Sequence, residues 1–407
     1  MESFLKIVNK SNEEEIFTYE YVIGMNNGAL LEQLYGTENN FFCTCNPSKP
    51  VEMYIGHKKN YYLQSFRGQK DNHLEGCIFY GNGSINPSDY KTGWNEDENG
   101  DIIVELESQT YKEKTQEVTS PTSTGSRSES TAIKKHKLTI REVTKKLLLN
   151  AWDQYMHNKG DKKYPNLHII FDQFVNYQAN KTYLNRQKTS SLKSIMYKGG
   201  KIGSIHHILD KMKEKTGVFF LLEYVSHEKI NEDISNITGR FPSDKADNTV
   251  TFTVKNKVLE NAQLSNRVSD GPTVITGFVT QKGFKQYHIM SLGILSINTY
   301  GVVVESSHER ELYDRICQEK RLVKRTYDPK YHPHSWRGLK PDGLFIDTEI
   351  PTIIEAFGMS ENMDSYHVER DFKLKHFSSL EPNYSFWYWD AYKGDTIPKF
   401  PPIKNYN

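Results

Sequence analysis

Apolar positions along this chain follow two periods. Val143, Leu147, Leu148, Ala151, Trp152 and Tyr155 share one helical face, as do Leu312, Tyr313, Ile316 and Cys317. Each stripe opens on a capping-box sequence, Thr139-Ile140-Arg141-Glu142 and Ser306-Ser307-His308-Glu309. The second stripe predicts a helix from Ser306 to Lys324. Further helices are predicted over Ser204 to Lys215 and Asp364 to Leu380, the latter with Tyr366, Arg370, Lys373 and Phe377 in one narrow stripe. Short apolar runs bounded by turn residues predict strands. These are Met53 to Ile55 and Tyr61 to Leu63 about Gly56, then Gly217 to Val225, Thr249 to Val254, Thr273 to Thr280 and Gly301 to Val304. Gly343 to Asp347 and Thr352 to Phe357 read as a hairpin about Thr348 to Pro351, and Tyr384 to Ala391 as a final strand. The fold class is α/β in the broad sense, an α+β multidomain chain.

The segment Lys112 to Thr131 (KEKTQEVTSPTSTGSRSEST) lacks apolar periodicity and reads as a linker. It divides the chain into residues 1–110, a β-rich zinc-binding domain, a linker at 111–132, a helical and winged-helix-like middle region at 133–248, and a C-terminal segment at 249–407. The net charge of +1 is uninformative, so a nucleic-acid surface has to come from local basic runs. Two are present: Lys134 to Lys137 with Arg141, Lys145 and Lys146, and Arg321 to Lys330. Gly199, Gly200 and Gly203 lack the G-K-[ST] of a phosphate-binding loop. No apolar run reaches membrane-spanning length, and Met1-Glu2-Ser3-Phe4 lacks the form of a signal peptide, so the expectation is a cytoplasmic protein without membrane partners.

Three of the four cysteines lie in Cys43-Thr44-Cys45 and at Cys77, four positions after His73. On a strand Cys43 and Cys45 face one way, and on a helical turn His73 and Cys77 share a face, so four nitrogen and sulfur ligands can converge on a structural Zn²⁺. Buried free thiols beside an unrelated histidine are the bland alternative, and His57 is a rival ligand. Cys317 reads as helix core.

Asp342, in Lys340-Pro341-Asp342, and Glu355, in Ile354-Glu355-Ala356-Phe357-Gly358, flank the predicted hairpin. Pairing centred between Thr348 and Glu349 sets the two acids opposite each other on one face, and a one-residue slip would separate them. Glu309 falls on the apolar stripe of its helix, where it either joins the acids or merely closes its capping box. Lys373 lies on the inward stripe of its own helix, either beside Glu355 or snorkelling.

These motifs resemble the PD-(D/E)XK, or restriction-endonuclease-like, superfamily, with Pro341-Asp342 as "PD" and Glu355 as "E". The resemblance covers roughly the last quarter of the chain and implies an αβββαβ core. The lysine position of the E-x-K element is Phe357, a departure that passes the lysine role to Lys373. The resemblance implies Mg²⁺ held by Asp342, Glu355 and the carbonyl of Ala356, with Glu309 assisting and Lys373 stabilising the transition state. It further implies hydrolysis of DNA phosphodiester bonds. Over the whole chain, Cys-x-Cys, His-x-x-x-Cys, the tryptophan-containing helix and E-x-F-G-M resemble an uncharacterised bacterial family of plasmids and integrative elements. The expected function is a metal-dependent nuclease of mobile elements. The competing expectation is an inactive nuclease fold that docks DNA or a protein partner, and self-association stays open.

Overall fold

Alternating burial along short strands builds most of this computed structural model, which describes residues 4–25, 28–46, 48–58, 60–66, 68–74, 77–80, 84–85, 93–106, 137–157, 165–184, 188, 190–199, 205, 207–208, 217–242, 249–266, 268, 270–283, 286–325, 332–358 and 364–404. The fold is mixed α/β and mostly sheet. The linker at 111–132, Lys134, Lys135, His136 and nearly all of the helix predicted over Ser204 to Lys215 lie outside the described residues. Two compact units divide the chain: residues 1–92, 152–164 and 306–407, and residues 93–151 and 165–305.

The first unit opens with a six-stranded sheet of β1 (Phe4–Val8), β2 (Glu14–Thr18), β3 (Asn40–Cys43), β4 (Val51–His57), β5 (Tyr61–Ser65) and β6 (Ser84–Ile85), ordered β2-β1-β3-β4-β5-β6. Its inward positions, among them Leu5, Ile7, Phe41, Cys43, Met53, Ile55 and Leu63, are buried in one cluster with Cys45 and Cys77. Burying these side chains drives the sheet's closure, each worth about 1.5–3 kcal/mol if aliphatic or aromatic.

In the second unit β7 (Trp94–Glu96), β8 (Ile102–Val104) and β9 (Thr182–Tyr183) form a small sheet. The helix α1 (Ile140–His157) belongs to this unit up to Ala151 and to the first unit from Trp152. Its capping box is formed: Thr139 N–H donates to Glu142 Oε2 at 2.7 Å, and Glu142 N–H donates to Thr139 Oγ1 at 3.2 Å.

Five further strands close a barrel: β10 (Val218–Lys229), β11 (Ile234–Arg240), β12 (Thr249–Lys255), β13 (Thr273–Gly283) and β14 (Gln286–Ser296), ordered β10-β11-β12-β14-β13. The helix α2 (Asn256–Ser265) connects β12 to β13 and buries Leu259 and Ala262 in the barrel core. Gly277 is required by close approach, since a Cβ there would lie 2.0 Å from the Ser291 carbonyl oxygen. The boundary expected at 248/249 falls inside this barrel, since from Val218 the residues before it supply two barrel strands. Among the described residues, the run Gly301 to Val304 makes only an isolated bridge, Val303 to Ile297, rather than a full strand.

The C-terminal part of the first unit runs α3 (Ser307–Gln318), β15 (Val323–Lys324), β16 (Gly343–Phe345), β17 (Thr352–Ala356), α4 (Asp364–Ser378) and β18 (Ser385–Trp389). The strands lie in the order β15-β16-β17-β18. The first two pairings are antiparallel, and β17 with β18 is parallel, joined through α4. The helix expected to reach Lys324 stops at Gln318 because Val323 and Lys324 pair with Phe345 and Leu344. A buried cluster of Phe4, Trp336, Leu339, Ile353 and Phe377 takes side chains from both ends of the chain. Arg337 Nη2 adds an ion pair to Glu15 Oε1 at 2.6 Å. Residues 1–92 and 306–407 therefore form one unit, rather than the separate domains expected at 1–110 and 249–407.

Candidate metal centre and acidic site

The end of β3 and the turn that follows it bring Cys43 and Cys45 inward, both buried. His73 arrives from the other side after a single 3-10 turn, Lys70–Asn72, in extended conformation with φ −71° and ψ 146°. Cys77 N–H bonds to the Leu74 carbonyl at 3.0 Å, so a turn, not the helical face predicted from the i, i+4 spacing, carries Cys77 to His73.

The donor atoms of Cys43, Cys45, His73 and Cys77 all lie within 4.8 Å of one another. Cys43 Sγ and Cys77 Sγ are 3.7 Å apart, and His73 Nδ1 is 3.5 Å from both Cys45 Sγ and Cys77 Sγ. A tetrahedral zinc with bonds of about 2.3 Å to sulfur and about 2.0–2.1 Å to nitrogen needs edges of about 3.8 and 3.6 Å respectively. Three of the six edges thus already match a Cys3His metal site, the rest lie within 4.8 Å, and three soft donors with one imidazole suit Zn²⁺.

The electrostatics agree. Cys77 is lowered to about 5, first by the hydrogen bond from Cys43, then, against the cost of burial, by the Phe79 backbone N–H and by His73. The Cys43 thiol is pushed up by that same bond and by burial, and burial raises Cys45. Without a metal the cluster keeps protons that a cation would displace. His57 is not part of it: its ring stacks on Tyr61 at 4.3 Å.

At the other end of the chain, the hairpin pairs Gly343 with Ile354, Leu344 with Ile353 and Phe345 with Thr352. One more step in that register sets Asp342 beside Glu355. Asp342 Oδ2 accepts the Ala356 backbone N–H at 2.7 Å. Glu355 is 3% exposed. Lys373 Nζ, from α4, lies 3.0 Å from Glu355 Oε1 and donates to the Lys340 carbonyl at 3.3 Å. The ammonium gives the buried Oε1 its countercharge.

Burial raises the Glu355 carboxyl well above the usual range; Lys373 opposes this and Asp342 adds to it. Burial alone would lower Lys373, yet Glu355, Glu369 and Asp342 together hold it above its ordinary value. Ser306 Oγ caps α3 by accepting the Glu309 N–H at 3.0 Å, while the Glu309 carboxylate turns to Arg325 Nη2 at 3.2 Å. Asp342, Glu355 and Lys373 therefore meet. Glu309 belongs to the same charged neighbourhood through Arg325, which interacts with both Glu309 and Asp342. Among the described residues, the Cys3His group is the one set of three or more such side chains gathered tightly enough to hold a metal as it stands.

No family model matches this chain, and no curated protein matches it.

Sequence reasoning gave Arg325 no role of its own and offered Arg321 to Lys330 as a source of nucleic-acid surface, with a solvated face as the plain alternative. The described part of that run is not a surface. Arg321 is buried and forks onto Asp347, with Nε to Oδ2 at 3.0 Å and Nη2 to Oδ1 at 2.9 Å. Arg325 is buried too, its guanidinium 4.6 Å from the centre of the Tyr313 ring. In the other run Arg141, Lys145 and Lys146 are likewise engaged within the protein. Arg141 Nε donates to the Ile294 carbonyl, Lys145 pairs with Glu305, and Lys146 lies over Trp94. A basic stretch interrupted by Leu322 and Val323 carried the signal of an inward-facing strand.

Proposed function

We propose that this protein is a divalent-cation-dependent hydrolase of nucleic-acid phosphodiester bonds, with DNA as substrate, acting at Asp342, Glu355 and Lys373. The observation that carries the reading is the buried Glu355 carboxyl, which faces Asp342 across the hairpin with the Lys373 ammonium 3.0 Å from its Oε1. A buried acid is costly unless a cation compensates it, and two hard oxygen donors on neighbouring strands suit Mg²⁺. The element order α3-β15-β16-β17-α4-β18 also supports the reading, since it follows the αβββαβ order of the PD-(D/E)XK superfamily. Asp342 and Glu355 would hold the ion, which when bound acidifies a water and neutralises charge on the phosphate. Lys373 sets its ammonium where negative charge develops, the part that the lysine of E-x-K plays when Phe357 does not replace it. The Ala356 N–H fixes the Asp342 carboxylate. The Cys3His cluster would hold Zn²⁺ as a structural clamp on the N-terminal sheet, having no open position for a substrate.

A second reading is favoured by one observation. Each acid already has a protein partner: Asp342 the Ala356 amide, Glu355 the Lys373 ammonium, Glu309 the Arg325 guanidinium. A site compensated in this way needs no Mg²⁺ and suits an inactive fold that docks DNA or a protein. Incubating supercoiled plasmid with purified protein in Mg²⁺ or Mn²⁺ separates the two. The hydrolytic reading expects nicked or linear product that disappears with Asp342→Ala, and identical product from wild type and Asp342→Ala would overturn it.

A further inference from the structure

The Arg325 side chain is 6% exposed and pairs with Glu309 Oε2 at 3.2 Å, longer than the about 2.7–2.9 Å of a strong charge-assisted bond. Its Nε and Nη1 are buried with no hydrogen-bond partner among the described residues. A guanidinium carries one N–H on Nε and two on each terminal nitrogen, so three buried donors lack an acceptor among the described residues. Groups left in this state are rare and point to a bound species that completes them.

The surrounding residues hold that guanidinium in place. Tyr313 lies under it at 4.6 Å, and the Tyr313 hydroxyl donates to the Asp342 carbonyl at 2.6 Å, linking the guanidinium to the strand that carries the acid. The Arg325 backbone N–H donates to Asp153 Oδ1 at 2.6 Å. A planar, fixed fork with open donors matches the oxygens of a phosphate better than a flexible ammonium does.

From this geometry we infer that Arg325 is a phosphate-binding residue, whose free donors take the non-bridging oxygens of a nucleic-acid phosphate at the Asp342–Glu355 site. The inference rests on the hydrolytic reading above. Four carboxyl groups, Glu309, Asp342, Glu355 and Glu369, face two cationic side chains, Arg325 and Lys373. An anion is therefore accepted only after a divalent cation has offset the acids, and the order of binding is cation first, phosphate second.

The test uses the full chain and the 5′-phosphorylated dinucleotide pTpT in Ca²⁺, followed by calorimetry and by the Arg325 Nε–H resonance, assigned by its loss in Arg325→Lys. The expected result is a resonance that moves on adding pTpT in Ca²⁺ and stays still in EDTA. Affinity should fall about 10- to 100-fold in Arg325→Gln and less in Arg325→Lys. Should Arg325→Gln not fold, the wild-type resonance still decides. If wild type cuts plasmid while the resonance is unmoved by pTpT, or both variants bind pTpT like wild type, the donors are met by water only and the inference falls alone. If wild type neither cuts plasmid nor binds pTpT, the hydrolytic reading falls and takes the inference with it.

Discussion

The two clusters of the first unit differ in burial and in what their side chains are doing: all four metal-type ligands are buried, whereas Asp342, Glu309 and Lys373 are only half-buried around a buried Glu355. In the Cys3His group the donor atoms face one another at the edges of a metal tetrahedron, and His73 Nε2 is buried without a partner among the described residues. In the acidic group each carboxylate has turned to an arginine, a lysine or an amide. A preformed set of soft ligands suits a permanent structural ion. Acids that must exchange partners suit an ion and substrate that come and go, at the cost of a less finished site without them.

The largest effect should come from the soft cluster. Cys43→Ser or Cys77→Ser should abolish stoichiometric zinc by elemental analysis and cost several kcal/mol of stability, a share of the about 10–16 kcal/mol that structural zinc supplies to small domains. Retention of both zinc and melting temperature would make the cluster mere buried thiols. In the acidic group, Glu355→Gln and Glu355→Ala should each lower plasmid cleavage by about 100-fold or more. Both remove the negative charge facing Lys373, so each should also lose about 3–5 kcal/mol, Lys373 being left buried without its acid. A melting temperature unchanged from wild type in both variants would mean that the Lys373 contact has no energetic role.

The buried Arg321–Asp347 fork serves as a control within the same sheet. Asp347→Ala should cost about 3–5 kcal/mol in denaturant unfolding and leave the metal affinities of both clusters unchanged. A change in metal affinity would show that the fork is part of a site. The smallest effect is a pH dependence at α4. His376 is held below its ordinary pKa by burial, with a further lowering contribution from Arg337, while its ring nitrogen donates to the Ser335 carbonyl at 2.7 Å. A histidine depressed in the folded state contributes stability that is fully present above its unfolded pKa of about 6.5 and is lost as pH falls through the folded one. Unfolding followed from pH 7.5 to 5 should show that loss in wild type and less of it in His376→Gln.

Much of this was legible in the sequence because it depends on local period. The hairpin follows from two short apolar runs about a Pro351 turn, and its register sets Asp342 against Glu355. The α4 stripe places Lys373 inward with Phe377. The Cys-x-Cys and His-x-x-x-Cys spacings named the four residues that converge, although the turn that joins His73 to Cys77 was read as a helix. What was illegible depends on partners far along the chain. The start of β10 is buried at Val218, Phe219, Phe220, Leu221 and Leu222 alike, so the strand predicted there has no alternation to announce a barrel, and β14 closes that barrel through a parallel contact with β12 that no local pattern encodes. Nothing near Phe4 signals that it packs with Trp336 and Phe377. Arg321 and Arg325 look like a solvated basic run until the acids that bury them, Asp347 and Glu309, are brought alongside.

Mn²⁺ titration of the zinc-loaded protein, monitored by electron paramagnetic resonance, tests most directly whether the two clusters hold two different kinds of ion. Wild type should bind Mn²⁺ without releasing zinc, and Glu355→Gln should lose the Mn²⁺ while keeping the zinc. Mn²⁺ binding that is absent from wild type, or that survives Glu355→Gln unchanged, would contradict the account.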